Sequence, residues 1–233
     1  MKKHSKIALS LTIAFCLSFA LIQVPRTEAS SPTIKISTHY YGKGKHIAYP
    51  AVSGMANASA QKKINQAFYN KAKSNYEYAG RLERQSIRDK ANDPANADSG
   101  MYDYSLDSTY KWVYKDSNYL SFIYDTYVYT GGAHGLNSID TFNFNTGKGN
   151  RFFIKDMLKT SSQFKQVQNY AYKSMKGKEP YKHFVQKASD VPVNKDSQFI
   201  FYNNGIALVF QRYDVTSYSG GNPIVYIPKS IYR

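Results

Sequence analysis

The amino-acid sequence predicts an α+β protein in which antiparallel sheets are each packed with a helix, arranged as two small tandem subdomains. Two stretches carry apolar residues every three to four positions, which is the period of an amphipathic helix. Other stretches alternate apolar and polar residues or are rich in β-branched and aromatic residues, as strands are. Strands precede the first helix and separate it from the second, an order typical of helices laid on antiparallel sheets.

The first 29 residues have the three parts of a secretory signal peptide. Three lysines among the first six residues precede a mainly apolar stretch over residues 7–24, and Ala29 is small, as signal peptidase requires. We predict cleavage after Ala29 and a secreted product without a transmembrane span, found in the medium or on the cell wall. The alternative is an uncleaved anchor, although polar residues interrupt the stretch and leave it marginal for the roughly 20 apolar residues of a spanning helix.

Cysteine is absent from the predicted mature chain, since Cys16 is the single cysteine in the sequence. Disulfide bonds, thiolate nucleophiles and cysteine-based zinc sites are therefore excluded for the mature part. Its histidines show no metal-ligand spacing from another histidine or a carboxylate on a readable helix face. We accordingly predict neither a metal site nor a cofactor.

Net charge points to the class of partner. The chain has 31 basic and 16 acidic residues, and removal of residues 1–29 leaves 27 basic against 15 acidic, a charge of +12. A charge of this size draws a protein to polyanions. We predict an anionic cell-wall polymer or peptidoglycan as the partner, and no specific nucleic acid. The alternative is that the charge serves only solubility and retention at a negatively charged wall.

Residues 30–98 are predicted to form the first subdomain. Residues 33–41 alternate as a strand does, and residues 45–52 return as a second strand after a glycine-containing turn. A helix follows over residues 60–80, where apolar positions recur every four residues up to a glycine. Residues 81–98 are polar without apolar periodicity, and we predict a mobile surface connection there, at the boundary between the subdomains.

Residues 99–233 are predicted to form the second subdomain, which contains a Gly-Gly-Ala-His-Gly turn. Three strands come first, and the middle one is apolar on both faces, as in the interior of a sheet. A second helix follows, and an Asn-Gly pair between apolar stretches is the strongest hairpin signal in the chain. The predicted positions are 102–114, 119–130 and 137–145 for the strands, 164–175 for the helix, 199–202 and 206–213 for the hairpin, and 224–227 for a last strand.

Motifs of well-known catalytic sites are absent from the sequence. It has no nucleophile elbow, zinc-protease motif, phosphate-binding loop or dinucleotide-binding motif. The most unusual segment is residues 131–135, because three glycines in five positions at a strand end indicate positive φ or close backbone approach. Its N–H groups and His134 can bind an anion. The alternative is a bulged connection in which His134 bonds its own loop.

A second glycine-rich turn, residues 218–222, is expected near the first if the final hairpin packs beside the middle strand. Tyrosine is also abundant, and exposed tyrosines bind glycan rings and proteins because they combine flat apolar area with a polar tip. Most of the tyrosines are nevertheless expected in the sheet cores. The predicted ligand-binding residues are Tyr129, Gly131, Gly132, His134, Tyr213, Tyr218 and Gly220, and no residue is predicted to be catalytic.

Motifs along nearly the whole mature chain resemble a known family. Residues 49–54 (Tyr-Pro-Ala-Val-Ser-Gly) and 61–65 (Gln-Lys-Lys-Ile-Asn) resemble the opening of a small extracytoplasmic domain. Residues 127–135, 142–144 and 146–147 resemble the signature of the domain that follows it, and its C-terminal end is resembled by residues 199–210, 213–215, 218–221 and 227–228. Together they are similar to the domain pair of the lysozyme-sensing anti-sigma factor RsiV and of the N-terminal region of the peptidoglycan deacetylase PdaC.

This resemblance implies binding rather than catalysis. In the anti-sigma factor the pair implies a lysozyme receptor, and in the deacetylase it implies an accessory module beside a separate catalytic domain. The sequence shows neither a sigma-binding segment nor a deacetylase domain, so we expect neither of those activities. We predict a secreted, non-catalytic binding module of the Gram-positive cell envelope that holds a wall polymer or an envelope protein.

Two alternatives remain open. The first is lysozyme binding, as an inhibitor or decoy. Animal-type lysozymes are basic, so this alternative requires acidic residues gathered at the interface. The second is a glycan-acting enzyme that uses His134, which requires a carboxylate within hydrogen-bonding reach of that histidine.

Overall fold

The structure is a computed structural model that describes residues 33–233, so the predicted signal peptide and its cleavage site lie outside the described residues. None of the helices in this part of the chain has both the length and the apolar character of a membrane span. The fold is α+β with antiparallel sheets and two tandem domains, as predicted.

The elements follow the predicted order. A two-residue strand and a one-turn helix, which were not predicted, lie between the strand that ends at Asn145 and the helix that begins at Ser161. The first hairpin pairs β1 with β2, the first sheet has the order β3-β4-β5-β6, and the second sheet has the order β7-β8-β9. Their bounds are β1 (Lys35–Tyr40), β2 (Ala48–Ser53), α1 (Ala58–Asn92), β3 (Ser105–Lys115), β4 (Tyr119–Tyr129), β5 (Leu136–Asn145), β6 (Arg151–Phe152), α2 (Ile154–Met157), α3 (Ser161–Met175), β7 (Gln198–Tyr202), β8 (Gly205–Val209) and β9 (Ile224–Pro228).

Helix α1 covers one face of the first sheet. It begins after Asn57, whose side-chain oxygen accepts a hydrogen bond from Ala60 N at 3.0 Å. Its apolar stripe includes Phe68, which is fully buried and meets the rings of Phe122 and Phe142 at centroid distances of 4.8 Å and 5.2 Å. Ring contacts at these distances add to the free energy gained from burial.

Helix α1 is longer than the sequence predicted. It continues to Asn92, so the prediction of a mobile connection was wrong for residues 81–92. Leu82 is buried there, and the chain that follows the helix returns to bind its last turns. Tyr104 OH donates to an Asp89 carboxylate oxygen at 2.9 Å, and Lys90 forms an ion pair with Asp103. Tertiary partners thus stabilise a segment that lacks an apolar stripe of its own.

The two largest hydrophobic clusters of the described residues each pack a helix on a sheet. In one, Ile64 and Phe68 of α1 pack with Leu120 and Phe144 of the first sheet. In the other, α3 packs on the second sheet, with Val167 among its buried residues. The predicted division into residues 30–98 and 99–233 stays a prediction, but the first cluster contains residues from both sides of it.

Glutamine side chains join the two sheets. Gln211 Nε2 donates to Ile139 O at 2.7 Å, and Ile139 N donates to Gln211 Oε1 at 2.8 Å. Thr141 N donates to Gln198 Oε1 at 2.7 Å. These bonds satisfy backbone groups of β5 that the two-residue strand β6 does not reach. They also fix the chain after β8 beside the turn between β4 and β5.

Candidate functional site

The two glycine-rich turns lie side by side. Residues 130–135 join β4 to β5, and Tyr218 belongs to the connection between β8 and β9. The His134 ring stacks on the Tyr218 ring, with centroids 4.4 Å apart and an interplanar angle of 30°. Tyr218 OH donates to Gly135 O at 3.4 Å. The proximity expected from the sequence is therefore present.

The glycines of the first turn are required by its backbone. Gly131 and Gly132 have φ of +98° and +89°, values that disfavour residues with a side chain. Gly135 is needed for a different reason, because a Cβ atom there would lie 2.4 Å from Val128 O. Its N–H donates to Tyr127 OH at 3.1 Å. The prediction of positive φ or close backbone approach in this segment is confirmed, and both features occur.

The other predicted residues surround this stack. Tyr129 OH donates to Gly132 O at 3.0 Å, which braces the turn. Tyr213 has φ of +68°, is 56% exposed, and places its ring 5.8 Å from that of Tyr218. A Cβ at Gly220 would collide with the Thr216 side chain, so the second turn also needs a glycine. The structure brings all the predicted residues to these adjoining turns, and their role in binding a ligand stays a prediction.

Arg212 lies at the same candidate site, although no sequence pattern indicated it. Its Cζ lies 4.3 Å from the centroid of the Tyr218 ring, and its Nη1 donates to Tyr218 O at 3.0 Å. Its Nε is buried without a hydrogen-bond partner. Among the buried side-chain nitrogen and oxygen atoms of residues 33–233, only Arg151 Nε is in the same situation. Cation–π contact explains its position. No local sequence pattern predicts that an arginine will stack on a tyrosine ring six residues further along the chain.

His134 is exposed and its two ring nitrogens differ. Nδ1 lies 2.9 Å from Gly135 O, which can only accept, so Nδ1 carries a proton. Nε2 has no partner within the described residues, so it can accept a hydrogen bond from a ligand when the ring is neutral and donate one when both nitrogens are protonated. No carboxylate within residues 33–233 bonds to His134, so the arrangement required by the glycan-acting enzyme is not present there.

Groups of three or more histidine, cysteine or acidic side chains that could hold a metal ion do not occur in the part of the chain that the structure describes. The two turns offer hydrogen bonding by His134 Nε2, the positive charge of Arg212 and stacking on the exposed ring of Tyr213. These properties fit recognition of a polar ring or an anionic group.

Helix α3 and the segment that follows it form a second candidate, which we call the basic surface (residues 161–187). It has six exposed lysines and one glutamate, a net charge of +5. Only Lys182 has a carboxylate partner there, Glu179. On α3 the lysines lie opposite the buried stripe that contains Val167 and Ala171. The lysines are Lys165, Lys173, Lys176, Lys178, Lys182 and Lys187.

Acidic residues are gathered elsewhere, over residues 77–107. This region has seven acidic and four basic residues, a net charge of −3 in a protein that is strongly positive. It borders a groove of about 820 Å³ that lies between α1 and β3. At its rim His46 Nδ1 lies 2.8 Å from a carboxylate oxygen of Asp107, and both side chains are exposed.

Two family models match the chain. The one described as Deacetylase PdaC matches residues 38–137, and the one described as Protein of unknown function (DUF3298) matches residues 152–230. The first match includes residues 127–135, which the motifs placed in the following domain. A protein of Bacillus subtilis strain 168, described as the uncharacterized protein YxiT, is 39% identical over 66 residues, which are 28% of this chain and 78% of that protein.

Two crystal structures of DUF3298 family proteins have a similar fold. The one from Bacteroides fragilis NCTC 9343 has a TM-score of 0.57 at 17% identity, and covers 86% of this chain and 92% of its own. The one from Pseudomonas aeruginosa PAO1 has a TM-score of 0.50 at 15% identity, with coverages of 85% and 89%. At these identities the likeness establishes the fold alone.

The matches divide the structure between the two sides of the candidate site. The PdaC match extends from β1 to the turn that contains His134, and the DUF3298 match contains α3, the second sheet and Tyr218. Domains of these two kinds indicate an extracytoplasmic, envelope-related module. The chain belongs to the family of proteins in which a PdaC domain is followed by a DUF3298 domain.

Proposed function

We propose that this chain is a secreted, non-catalytic binding module that holds an anionic polymer of the Gram-positive cell wall. The observation that supports this best is the basic surface, where five of six exposed lysines have no carboxylate partner within the described residues. A ligand with many anionic groups suits such a surface, because each exposed contact is weak and the contacts add up along a polymer.

The two adjoining turns supply a second contact in this proposal. The exposed ring of His134, which is stacked on Tyr218, and the exposed ring of Tyr213 offer flat area with polar edges, which suits the face of a sugar ring. Arg212 adds a cation whose Nε has no partner. The residues proposed to make this contact are Tyr129, Gly131, Gly132, His134, Tyr213, Tyr218 and Gly220.

Retention of the protein on isolated walls tests the proposal. The variant Lys165→Gln/Lys173→Gln/Lys176→Gln removes three cations from the basic surface. A control variant, with glutamine at Lys62, Lys111 and Lys229, removes three exposed cations elsewhere, so both carry +9 instead of +12. We expect the first to lower the apparent affinity about tenfold, since exposed ion pairs contribute roughly 0.5 kcal/mol each, and the control to change it little.

Salt and wall composition complete the experiment. Exposed charges are screened over about 8 Å at physiological ionic strength, so retention should weaken steeply from low to moderate salt. Walls stripped of teichoic acid should retain less protein. Equal losses in the two lysine variants, or retention that is indifferent to both salt and stripping, would contradict binding of an anionic polymer by the basic surface.

Lysozyme binding is the second candidate, and the acidic region over residues 77–107 favours it. Animal-type lysozymes are basic, so this region has the complementary sign. Immobilised lysozyme is the probe. Capture that is weakened by Glu77→Gln/Glu83→Gln, and unchanged by the triple lysine variant, would support this candidate over the wall polymer.

Secretion is tested separately, by sequencing the N-terminus of the extracellular form. We expect it to begin near Ser30, as the three-part signal indicates. A membrane-embedded product that retains Met1 would contradict secretion.

A further inference from the structure

Arg151, in the edge strand β6 of the first sheet, is a half-buried cation that no function discussed above explains. Its Cζ lies 3.8 Å from the centroid of the Phe142 ring and 4.9 Å from that of Phe153, so the guanidinium lies against two aromatic rings. Nη2 donates to Thr141 O at 2.8 Å, whereas Nε is buried without any hydrogen-bond partner. A guanidinium has five N–H donors, and most of those of Arg151 have no partner within the described residues.

The charge of Arg151 is also uncompensated. It has no ion pair within residues 33–233, and the carboxylate of Asp140, which is near enough to interact with it, is already paired with Lys71 at 2.6 Å. Burial lowers the pKa of Arg151 from its usual value, and an arginine nevertheless stays protonated at neutral pH. Burial of a cation without a partner is unfavourable, and an anion bound beside it would relieve that cost.

Arg151 lines an open cleft of about 390 Å³ that has room for such an anion. Lys155 and Lys195 line the same cleft, and Lys155 Nζ lies 5.6 Å from the centroid of the Phe153 ring. Three cations therefore surround a space that also borders Asp140, neutralised by Lys71, and Asp196. The local charge is positive, although no segment of the sequence here is a continuous run of basic residues.

We propose that this cleft binds a phosphate group carried by a small sugar or polyol. The planar fork of Arg151 matches two oxygens of a phosphate, and Lys155 and Lys195 act as point charges on the others. A volume of about 390 Å³ exceeds the needs of a phosphate alone and lies in the range of small-molecule sites. The exposed part of Phe153, 46% of its surface, offers an apolar face for the group that carries the phosphate.

Titration calorimetry at constant ionic strength tests this inference, with inorganic phosphate, glycerol 3-phosphate and the diester bis(glyceryl) phosphate as probes and chloride as the reference ion. We expect saturable binding of at least one phosphate probe to residues 30–233. The monoester and the diester distinguish a free metabolite from a unit of a polymer. Lys155→Gln/Lys195→Gln should weaken that binding about tenfold or more, while Lys62→Gln/Lys111→Gln leaves it unchanged.

Arg151→Lys is the second arm, because it keeps the charge and removes the fork. It should weaken phosphate binding about tenfold as well, with circular dichroism showing that the fold is intact. The inference is overturned if none of the three probes binds more strongly than chloride, or if the Lys155/Lys195 variant binds them as the parent does. It does not depend on wall binding by the basic surface, whose lysines are unchanged in every variant used here.

Discussion

The imidazole ring of His134 rests on the phenol ring of Tyr218, and this stack joins the two domains of the family. His134 lies in the part of the chain that matches PdaC, and Tyr218 in the part that matches DUF3298. Arg212 contacts the same tyrosine ring. The candidate site thus combines residues of both domains, and ligand sites commonly occur where domains meet.

Replacement of His134 separates binding from folding. His134→Ala removes an exposed ring, so the free energy of unfolding should fall by no more than about 1 kcal/mol, the value of one aromatic pair. If the two turns bind a ligand, affinity for the wall polymer should fall about tenfold, because one hydrogen bond to a charged group is lost. His39→Ala, at an exposed histidine outside both turns and the basic surface, is the control. Unchanged retention of His134→Ala on walls would remove this turn from the binding surface.

The glycines of the first turn should differ in their tolerance of a methyl group. Gly132→Ala meets open space and costs only the strain of positive φ, roughly 1 kcal/mol. Gly135→Ala drives a Cβ against Val128 O and the Tyr127 ring, and overpacking of this kind costs about 2–3 kcal/mol. Urea denaturation of both variants measures the difference. Equal losses would mean that the close approach at Gly135 is relieved by movement of its neighbours.

The buried hydroxyl of Tyr124 predicts a loss of stability in alkali. Burial raises the pKa of Tyr124 to about 12, and its OH donates to Ala48 O at 2.7 Å. A raised pKa means that the folded state favours the neutral phenol, so this contribution is complete below pH 10 and disappears as the pH rises from 10 to 12. A shift of this size corresponds to about 2–3 kcal/mol.

Unfolding free energies of the parent and of Tyr124→Phe across this interval check the prediction. The phenylalanine variant cannot ionise at this position, so its stability should fall less steeply from pH 10 to 12. Identical slopes would show that other groups account for the whole alkaline transition.

Phe68 should hold α1 on the first sheet. It is fully buried and contacts three phenylalanine rings of the sheet, so Phe68→Ala should lower the free energy of unfolding by about 3–5 kcal/mol. Phe184→Ala, at a phenylalanine that is 44% exposed, is the matched control and should cost far less. A small effect at Phe68 would indicate that α1 and the first sheet fold independently.

Local patterns in the sequence were enough to predict most of the elements. The strands and α3 have regular apolar periods, and the Asn-Gly pair before Ile206 specifies a hairpin by backbone conformation alone. The last part of α1 was missed because its stability comes from contacts such as that between Asp89 and Tyr104, which no periodic pattern reveals.

The candidate site was predictable only in part, for the same reason. Clustered glycines indicate unusual backbone conformations, so Gly131 and Gly132 could be identified from the sequence. The positions of Arg151 and Arg212 depend on rings elsewhere in the fold, and isolated arginines in a basic chain are not distinguishable by pattern. Charge density along the chain did not indicate which cations lack partners.

The paired hydrogen bonds between Gln211 and the backbone of Ile139 also restrict how these proteins can recombine. Gln211 takes the place of a neighbouring strand beside β5. If the second domain were exchanged for the second domain of a distant relative, this stretch of β5 would lose its hydrogen-bond partners. Only an incoming domain with an equivalent amide side chain would restore them. Open strand edges pair with other chains and aggregate. Natural exchange of one domain without its companion would therefore be selected against, and the two should share a single line of descent.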